Sequence, residues 1–153
     1  MKRRYICGLI LFACYFATAT ADTLDERSVS QLMKAVELAS AERDIDSLAS
    51  LLADDVKVAI TVVTDDQTIS VEMNKEDYVS SVLQSWSVWD TYDYARDEMN
   101  IVLHTDHAVV TSTIREEGSL GDEVIRQASS NTSTVRNIGG RMLLTKITGH
   151  VVL

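Results

Sequence analysis

The feature that most constrains the fold of this sequence is its second half, which carries β patterns almost without interruption. From Trp89 onward four long segments read as strands: "YARDEMNIVLH", "HAVVTSTIREEG", "DEVIRQASSNTSTVRN" and "RMLLTKITGHVVL". They are separated by Thr105-Asp106, by the segment from Gly118 to Gly121 and by Gly139-Gly140. Breaks of this length join antiparallel neighbours as hairpins, so we expect the four strands to form a sequential antiparallel sheet.

The first half of the chain begins with helical periodicities. One helix face is spaced i, i+3, i+4, i+7 by Val29, Leu32, Met33 and Val36. We expect Thr23 or Ser28 to cap this helix. A second, shorter helix is predicted over residues 46–53, where the carboxylate of Asp44 can cap free backbone N–H groups.

Two strands and a third helix complete this half. The segments "VKVAITVV" and "TISVEM" flank the turn signal Asp65-Asp66 and read as paired strands. The third helix follows Asn74 as N-cap, and its apolar stripe consists of Tyr78, Val79, Val82, Leu83 and Trp86. The order predicts an α+β domain in which three N-terminal helices pack on a strongly curved antiparallel sheet.

The N-terminus has the parts of a secretory signal. Met1-Lys2-Arg3-Arg4 is basic, residues 6–17 are apolar apart from a glycine, and Ala19-Thr20-Ala21 supplies the small residues that cleavage requires. We therefore predict a signal peptide at residues 1–21, one mature domain at residues 22–153, and export to the periplasm or the cell exterior. An uncleaved N-terminal anchor and lipidation at Cys14 are the alternatives.

The composition of the mature chain excludes several classes of function. Both cysteines, Cys7 and Cys14, fall within the signal, so the predicted mature chain has no disulfide, thiolate nucleophile or cysteine metal site. Signal removal leaves 11 basic and 23 acidic residues, a net charge of −12. Such a charge is repelled by phosphate backbones and anionic lipids, so we predict no nucleic-acid partner and no membrane insertion after signal removal.

The order of elements resembles the NTF2-like superfamily, also described as SnoaL-like or cystatin-like α+β cones. "AERDIDSLASLLADDVKVAI" is similar to the helix–turn–strand entry of that family, and "NKEDYVSSVLQSW" to its third helix. "HAVVTSTIREEG" and "GRMLLTKITGHVV" resemble its paired sheet strands. The resemblance implies a cone with a pocket at its open end and a homodimer through the outer sheet face. Its members include isomerases, dehydratases, cyclases and noncatalytic modules, so the fold does not give the function.

The pair Asp54-Asp55 is the first candidate for acid–base chemistry. In the ketosteroid isomerase branch a similar Ala-Asp-Asp run is followed by a catalytic Asp in a Glu-Asp-Pro context. The matching positions here are Ala59, Ile60 and Thr61, and isoleucine cannot accept a proton. We therefore predict no isomerase-type base, and we expect Asp54-Asp55 to end the helix–strand connection by bonding local backbone N–H groups.

The three histidines give two further candidates. His104, Asp106 and His107 cluster at a predicted hairpin, where two imidazoles and a carboxylate can bind a metal, although a solvated turn is the simpler interpretation. His150 shares a strand face with Met142, Leu144 and Lys146 if alternation is unbroken, and would then be a core residue or an acid–base group at the pocket. No resident metal and no cofactor are predicted.

Aromatic residues mark the expected pocket. Its candidate lining residues are Tyr78, Trp86, Trp89, Tyr92, Tyr94 and His150, of which the aromatic ones can equally be core residues. Arg115-Glu116-Glu117 and Arg136 are expected to form solvated cross-strand pairs. Nucleophile-elbow and phosphate-loop motifs are absent from the sequence.

Three functions remain open from the sequence. The first is an exported domain that binds a small, partly apolar ligand in its cone. The second is an isomerase, dehydratase or cyclase that uses a pocket His and Tyr. The third is a noncatalytic dimerisation or interaction module, for which we expect a filled cone and a broad apolar patch on the outer sheet face.

Overall fold

The computed structural model describes residues 23–152. The predicted signal peptide and Leu153 lie outside the described residues. The elements within them follow in the order α1 (Glu26–Ala41), α2 (Ile45–Ser50), β1 (Leu52–Val63), β2 (Thr68–Met73), α3 (Lys75–Ser87), β3 (Thr91–Leu103), β4 (Ala108–Leu120), β5 (Glu123–Ile138) and β6 (Arg141–Val152). This is the predicted order. Among these residues no helix combines the length and the apolar character that crossing a bilayer requires.

The six strands form one mixed sheet in the order β2-β1-β6-β5-β4-β3. Strands β3 to β6 are sequential antiparallel neighbours, as predicted. Strand β1 pairs with β6 in parallel, which corrects the expectation of a wholly antiparallel sheet. The parallel pair arises because α3 carries the chain from β2 at one edge to β3 at the other, and the meander returns to end beside β1.

Side-chain caps fix where the helices begin. Asp44 accepts a hydrogen bond from the backbone N–H of Ser47 at 3.0 Å, and Asn74 accepts one from that of Asp77 at 2.9 Å, as predicted. The cap of α1 is Asp25, not Thr23 or Ser28. Helix α2 ends at Ser50 and β1 begins at Leu52, so the second helix is shorter than predicted.

The aspartate pair Asp54-Asp55 lies inside strand β1, not in the connection before it. Asp54 accepts a hydrogen bond from Lys75 Nζ at 2.9 Å, and Lys75 also donates to the carbonyl of Leu52 at 3.0 Å. Both aspartates are exposed, and the pairing of β1 with β6 slips between Leu52 and Lys57. The pair therefore lies on a bulged stretch of strand tied to the start of α3, instead of capping a helix.

A second irregularity decides which residues of β6 face inward. Thr134 pairs with Lys146 and Val135 with Leu144, so that Thr145 is an extra residue in β6. The bulge reverses the alternation: Leu144 and Ile147 are both buried, although three positions separate them. Beyond the bulge Gly149 faces inward and His150 faces outward.

The core lies between the inner sheet face and the helices. Helix α1 packs on β3 and β6, and α3 packs on β1 and β2. The α1 positions predicted from periodicity, Val29, Leu32, Met33 and Val36, are all buried. In α3 only Trp86 is fully buried, and Leu83 of the predicted stripe is exposed. In the middle of α3, Tyr78, Val79 and Val82 are partly buried against the core.

Candidate functional site: a polar cavity inside the cone

A cavity of about 270 Å³ lies between the inner sheet face and helices α1 and α3. Its polar lining includes Tyr78, Tyr92, Tyr94, Arg96, Glu116, Gln127, Ser129 and Asn131. Its apolar walls include Met33, Val36, Ile60, Val82, Trp86, Ile147 and Val151. Ile60, the position of the missing isomerase-type base, thus contributes an apolar wall. The volume is close to the lower limit of about 300 Å³ for small-molecule sites, so the cavity suits a small ligand.

Strand alternation brings the polar residues together. Tyr94 of β3 pairs with Glu116 of β4, and Glu116 pairs with Gln127 of β5, so that the three side chains form one inward row across the sheet. Arg96 and Ile114 lie in the next inward row. Inner positions of this sheet are therefore apolar near α1 and polar toward the other end of the long strands.

Glu116 is the acceptor at the centre of a hydrogen-bonded cluster. Its Oε1 accepts from the Tyr92 hydroxyl at 2.5 Å, and its Oε2 accepts from Gln127 Nε2 at 2.6 Å. Both donors are neutral. Among residues 23–152 no Lys, Arg or His nitrogen lies within 4.0 Å of this carboxylate. The charge is thus hydrogen-bonded without a cationic partner beside it.

Arg96 forms a second cluster in the same cavity. Its Nη1 donates to the Ser112 hydroxyl at 2.7 Å and its Nη2 to the Tyr94 hydroxyl at 3.1 Å, while its backbone N–H donates to Glu37 at 3.2 Å. Its Nε is buried and has no acceptor among the described residues. These bonds hold the guanidinium on β3, apart from Glu116.

The three tyrosines keep their protons far above neutral pH. Burial raises the pKa of Tyr78 to about 12, with the negative charge of Glu116 adding to the effect. Burial followed by Glu116 also raises the pKa of Tyr92, and burial raises that of Tyr94. The hydroxyl of Tyr78 has no hydrogen-bond partner within the part of the chain that the structure describes. It is a phenolic donor that a ligand can engage.

Two of the predicted pocket residues do not line the cavity. Trp89 is half-buried against Gly118, where an added Cβ would lie 2.5 Å from its Cε3. Its carbonyl accepts from Arg43 Nη1 at 3.1 Å. His150 is exposed on the outer face of the sheet and the preceding Gly149 faces inward, because the Thr145 bulge reverses the alternation. His150 therefore cannot be the acid–base group at the pocket that the enzyme hypothesis required.

The other histidines meet at the β3–β4 hairpin, as their spacing predicts. The rings of His104 and His107 stack with centroids 4.5 Å apart, and His107 Nδ1 lies 2.8 Å from Asp106 Oδ1. Within residues 23–152 no group of three or more His, Cys, Asp or Glu side chains is arranged to hold a metal. Asp106 is instead 3.4 Å from Arg136 Nη2, one of the expected solvated pairs.

Sequence reasoning missed the residues that set the polarity of the cavity. Arg115 and Glu117 form exposed pairs with Asp97 and Arg126, as expected, but Glu116 between them points inward. The available signal was alternation: Glu116 is two, four and six positions from inner residues of β4. Arg96 and Gln127 carry the same signal on β3 and β5. A charged side chain in phase with a buried strand face indicates a polar group inside the fold.

Comparison with known proteins gives a fold. No family model and no curated relative matches the chain. Among solved structures, an NTF2-like family protein of Streptomyces avermitilis, named as a candidate dehydratase, is 18% identical with a TM-score of 0.64, over 83% of this chain and 95% of that one. An NTF2-like protein of Cytophaga hutchinsonii is 18% identical with a TM-score of 0.63, over 84% and 99%.

A third similar structure is the hexachlorocyclohexane dehydrochlorinase LinA-type3 of Novosphingobium barchaimii. It is 19% identical with a TM-score of 0.60, over 82% of this chain and 84% of that one. The chain therefore has the NTF2-like fold, as its sequence predicted. Sequence identities this low support a shared fold but not a shared function, so the function must be argued from the cavity.

Proposed function

We propose that this chain is an exported domain that binds a small, partly apolar ligand in the cavity of its cone. The observation that carries the proposal is the lining: apolar walls surround a few converging polar groups, among them the unpartnered hydroxyl of Tyr78 and the carboxylate of Glu116. Sites for small molecules have this composition, in which apolar walls supply affinity and a few polar groups fix orientation.

Native mass spectrometry tests the proposal on the mature protein purified from its own compartment. We expect a reproducible added mass that is lost on unfolding. The control is Gly149→Leu, because Gly149 lines the cavity and an added Cβ already lies 2.7 Å from Ile60 Cδ1. The variant should lose the added mass. A bare wild-type protein, or an added mass that persists in folded Gly149→Leu, would contradict the proposal.

A second candidate is an enzyme of the dehydratase or isomerase kind. It is favoured by one observation, the carboxylate of Glu116 within hydrogen-bond reach of a cavity tyrosine, Tyr92. Proteins named as a candidate dehydratase and a dehydrochlorinase share the fold. In this candidate Glu116 accepts the proton and a tyrosine donates one. Incubating the protein with its identified ligand decides it: conversion that Glu116→Gln abolishes would establish the enzyme, and an unchanged ligand would exclude it.

Export and assembly are parts of the same proposal. Export is supported by the basic and apolar segments of residues 1–21, and N-terminal sequencing of the native protein should begin at Asp22. Assembly as a homodimer through the outer sheet face is supported by the likeness to NTF2-like domains. That face carries small polar residues such as Thr111, Thr132 and Thr148. Sedimentation should give a dimer for wild type and a monomer for Thr132→Arg, and a wild-type monomer would contradict the assembly.

A further inference from the structure

We propose that the ligand of this cavity is an organic amine, whose ammonium group binds at Glu116 and whose apolar body lies along the wall formed by Ile60 and Val82. The inference rests on the proposed function, since it names the chemical class of ligand for the same cavity.

The first step is the unbalanced charge of Glu116. Its two oxygens accept one hydrogen bond each, from Tyr92 and Gln127. A carboxylate offers about four lone-pair sites, so two remain for a ligand. Both present donors are neutral, and a charge taken into a cleft is costly until an opposite charge reaches it. An ammonium donates N–H bonds and neutralises the carboxylate at once.

The second step is the aromatic surround. Tyr78, Tyr92, Tyr94 and Trp86 all line the cavity, and the Trp86 and Tyr92 rings lie 6.4 Å apart at 57°. Ring faces attract cations within about 6 Å, and cages of aromatic rings are a known means of binding ammonium groups. Tyr92 already shows this property, because the guanidinium of Arg43 lies 5.3 Å from its ring centroid.

The third step is the position of Arg96, the cation in the same cavity. Its guanidinium is held by Ser112 and Tyr94, and no ion pair joins it to Glu116 within 4.0 Å. The carboxylate of Glu37 accepts the Arg96 backbone N–H at 3.2 Å and is not part of the cavity lining. The Glu116 carboxylate therefore has no cation beside it, while the Arg96 guanidinium donates to the neutral hydroxyls of Ser112 and Tyr94. An amine fits the carboxylate of Glu116, and the net charge of −12 on the predicted mature chain favours the approach of cations.

Titration calorimetry with two matched probes tests the inference. We choose 2-phenylethylamine and 2-phenylethanol, which differ only in the ammonium and the hydroxyl group. The protein is used as its host processes it, near pH 7. We expect the amine to bind at least about tenfold more tightly than the alcohol. Glu116→Gln should bind the amine and the alcohol with about equal affinity. Glu117→Gln is the matched control, because Glu117 is the next residue, faces outward and pairs with Arg126, so the preference should persist there.

The outcomes separate this inference from the proposed function. If both probes bind equally to wild type, the amine class is overturned while the cavity still binds ligands. If the preference survives in Glu116→Gln, the assignment to this carboxylate is overturned. If neither probe binds, the inference also fails. The proposed function is then tested separately, by the native mass spectrometry described above. Should Glu116→Gln not fold, the amine-to-alcohol ratio on the unaltered protein still decides, since a ratio near one contradicts the inference.

Discussion

The hydroxyl of Tyr92 donates to Oε1 of Glu116 across the β3–β4 pair, inside the cone and 2.5 Å away. The same ring lies 6.4 Å from Trp86 and carries the guanidinium of Arg43 near its face. Tyr92 thus joins the polar cluster of the cavity to the C-terminal end of α3. Its hydroxyl is one of two donors that bond to the Glu116 carboxylate, the other being Gln127 Nε2.

Removing the Tyr92 hydroxyl should therefore lower the free energy of unfolding more than removing the hydroxyl of Tyr78, which has no partner among the described residues. Tyr92→Phe breaks a hydrogen bond to a charged acceptor, and we expect the free energy of unfolding to fall by about 1.5–3 kcal/mol. Tyr78→Phe is the matched control, because its hydroxyl bonds to no other described residue. Its effect should stay within about 0.5 kcal/mol. Urea unfolding of both variants measures the difference, and equal losses would contradict the described cluster.

The alkaline titration of the tyrosines should be displaced as a group. Once residues 1–21 are removed, Tyr78, Tyr92 and Tyr94 are the only tyrosines left, and all three have a raised pKa. We expect the absorbance at 295 nm of the folded protein to show no titration near pH 10. A single tyrosine that titrates at pH 10 before unfolding would show that its ring is not enclosed as described.

The same pKa shifts predict the direction of alkaline stability. Unfolded tyrosine titrates near 10, whereas the pKa of Tyr78 is raised to about 12. Between these values the unfolded chain loses a proton that the folded chain keeps, so the free energy of unfolding falls as pH rises. The contribution is complete below pH 10 and is lost as pH rises through 12. Urea midpoints at pH 9 and 11 measure it, with Tyr78→Phe expected to show a smaller decrease. A midpoint that rises with pH would contradict the sign.

Arg43 should tolerate glycine better than alanine. It follows the end of α1 with φ of 55°, and the N–H of Asp44 bonds to the Ala39 carbonyl, which closes a Schellman motif. Arg43→Ala keeps the positive φ and loses the bonds to the carbonyls of Trp86 and Trp89. Arg43→Gly loses the same bonds and removes the backbone strain, worth about 1 kcal/mol.

Unfolding measurements should therefore rank wild type above Arg43→Gly, and Arg43→Gly above Arg43→Ala. If alanine were the more stable of the two variants, the left-handed conformation at this position would be contradicted.

Gly118 is required by the approach of Trp89. A Cβ at this position would lie 2.5 Å from the indole and 2.8 Å from the Thr91 carbonyl, so Gly118→Ala should destabilise the fold by about 1–3 kcal/mol. The tryptophan fluorescence emission of Gly118→Ala should also shift, because the Trp89 indole must move to make room for the Cβ. Gly149→Ala is the control, since the atom closest to its Cβ is the flexible end of Ile60. Gly149→Ala should lose less stability than Gly118→Ala. Equal losses would mean that contact with the Trp89 indole is not the reason why Gly118→Ala is destabilised.

The fold could be predicted because it depends on periodicities that single residues rarely override. The α1 face, the caps at Asp44 and Asn74, and the Gly139-Gly140 hairpin all follow local rules. The parallel pairing of β1 with β6 could not be predicted in this way, because it depends on the path of the chain around the whole sheet. No local pattern records that path.

The cavity was only partly predictable. Of the aromatic candidates, Tyr78, Trp86, Tyr92 and Tyr94 line the cavity and Trp89 does not, and their role in binding a ligand stays a prediction. His150 was misplaced because one extra residue, Thr145, reverses every later side chain of β6, and nothing in "LLTKITGH" marks the bulge. Glu116 was overlooked because its neighbours form the ordinary exposed pairs of a sheet surface.

The most direct test of the central claim is the reactivity of a thiol placed inside the cone. The predicted mature chain has no cysteine, so Ser129→Cys, on the cavity wall, introduces a single thiol. Two controls set the range of reaction rates. Ser130→Cys, on the exposed outer face, gives the upper limit, and Ala108→Cys, fully buried in the core, gives the lower limit. The measurement is the rate of modification by methyl methanethiosulfonate under native conditions. We predict that Ser129→Cys reacts without global unfolding, at a rate between the two controls and more slowly when ligand is bound. A Ser129→Cys rate as low as that of Ala108→Cys would mean that the cone is closed, and would contradict the ligand-binding account.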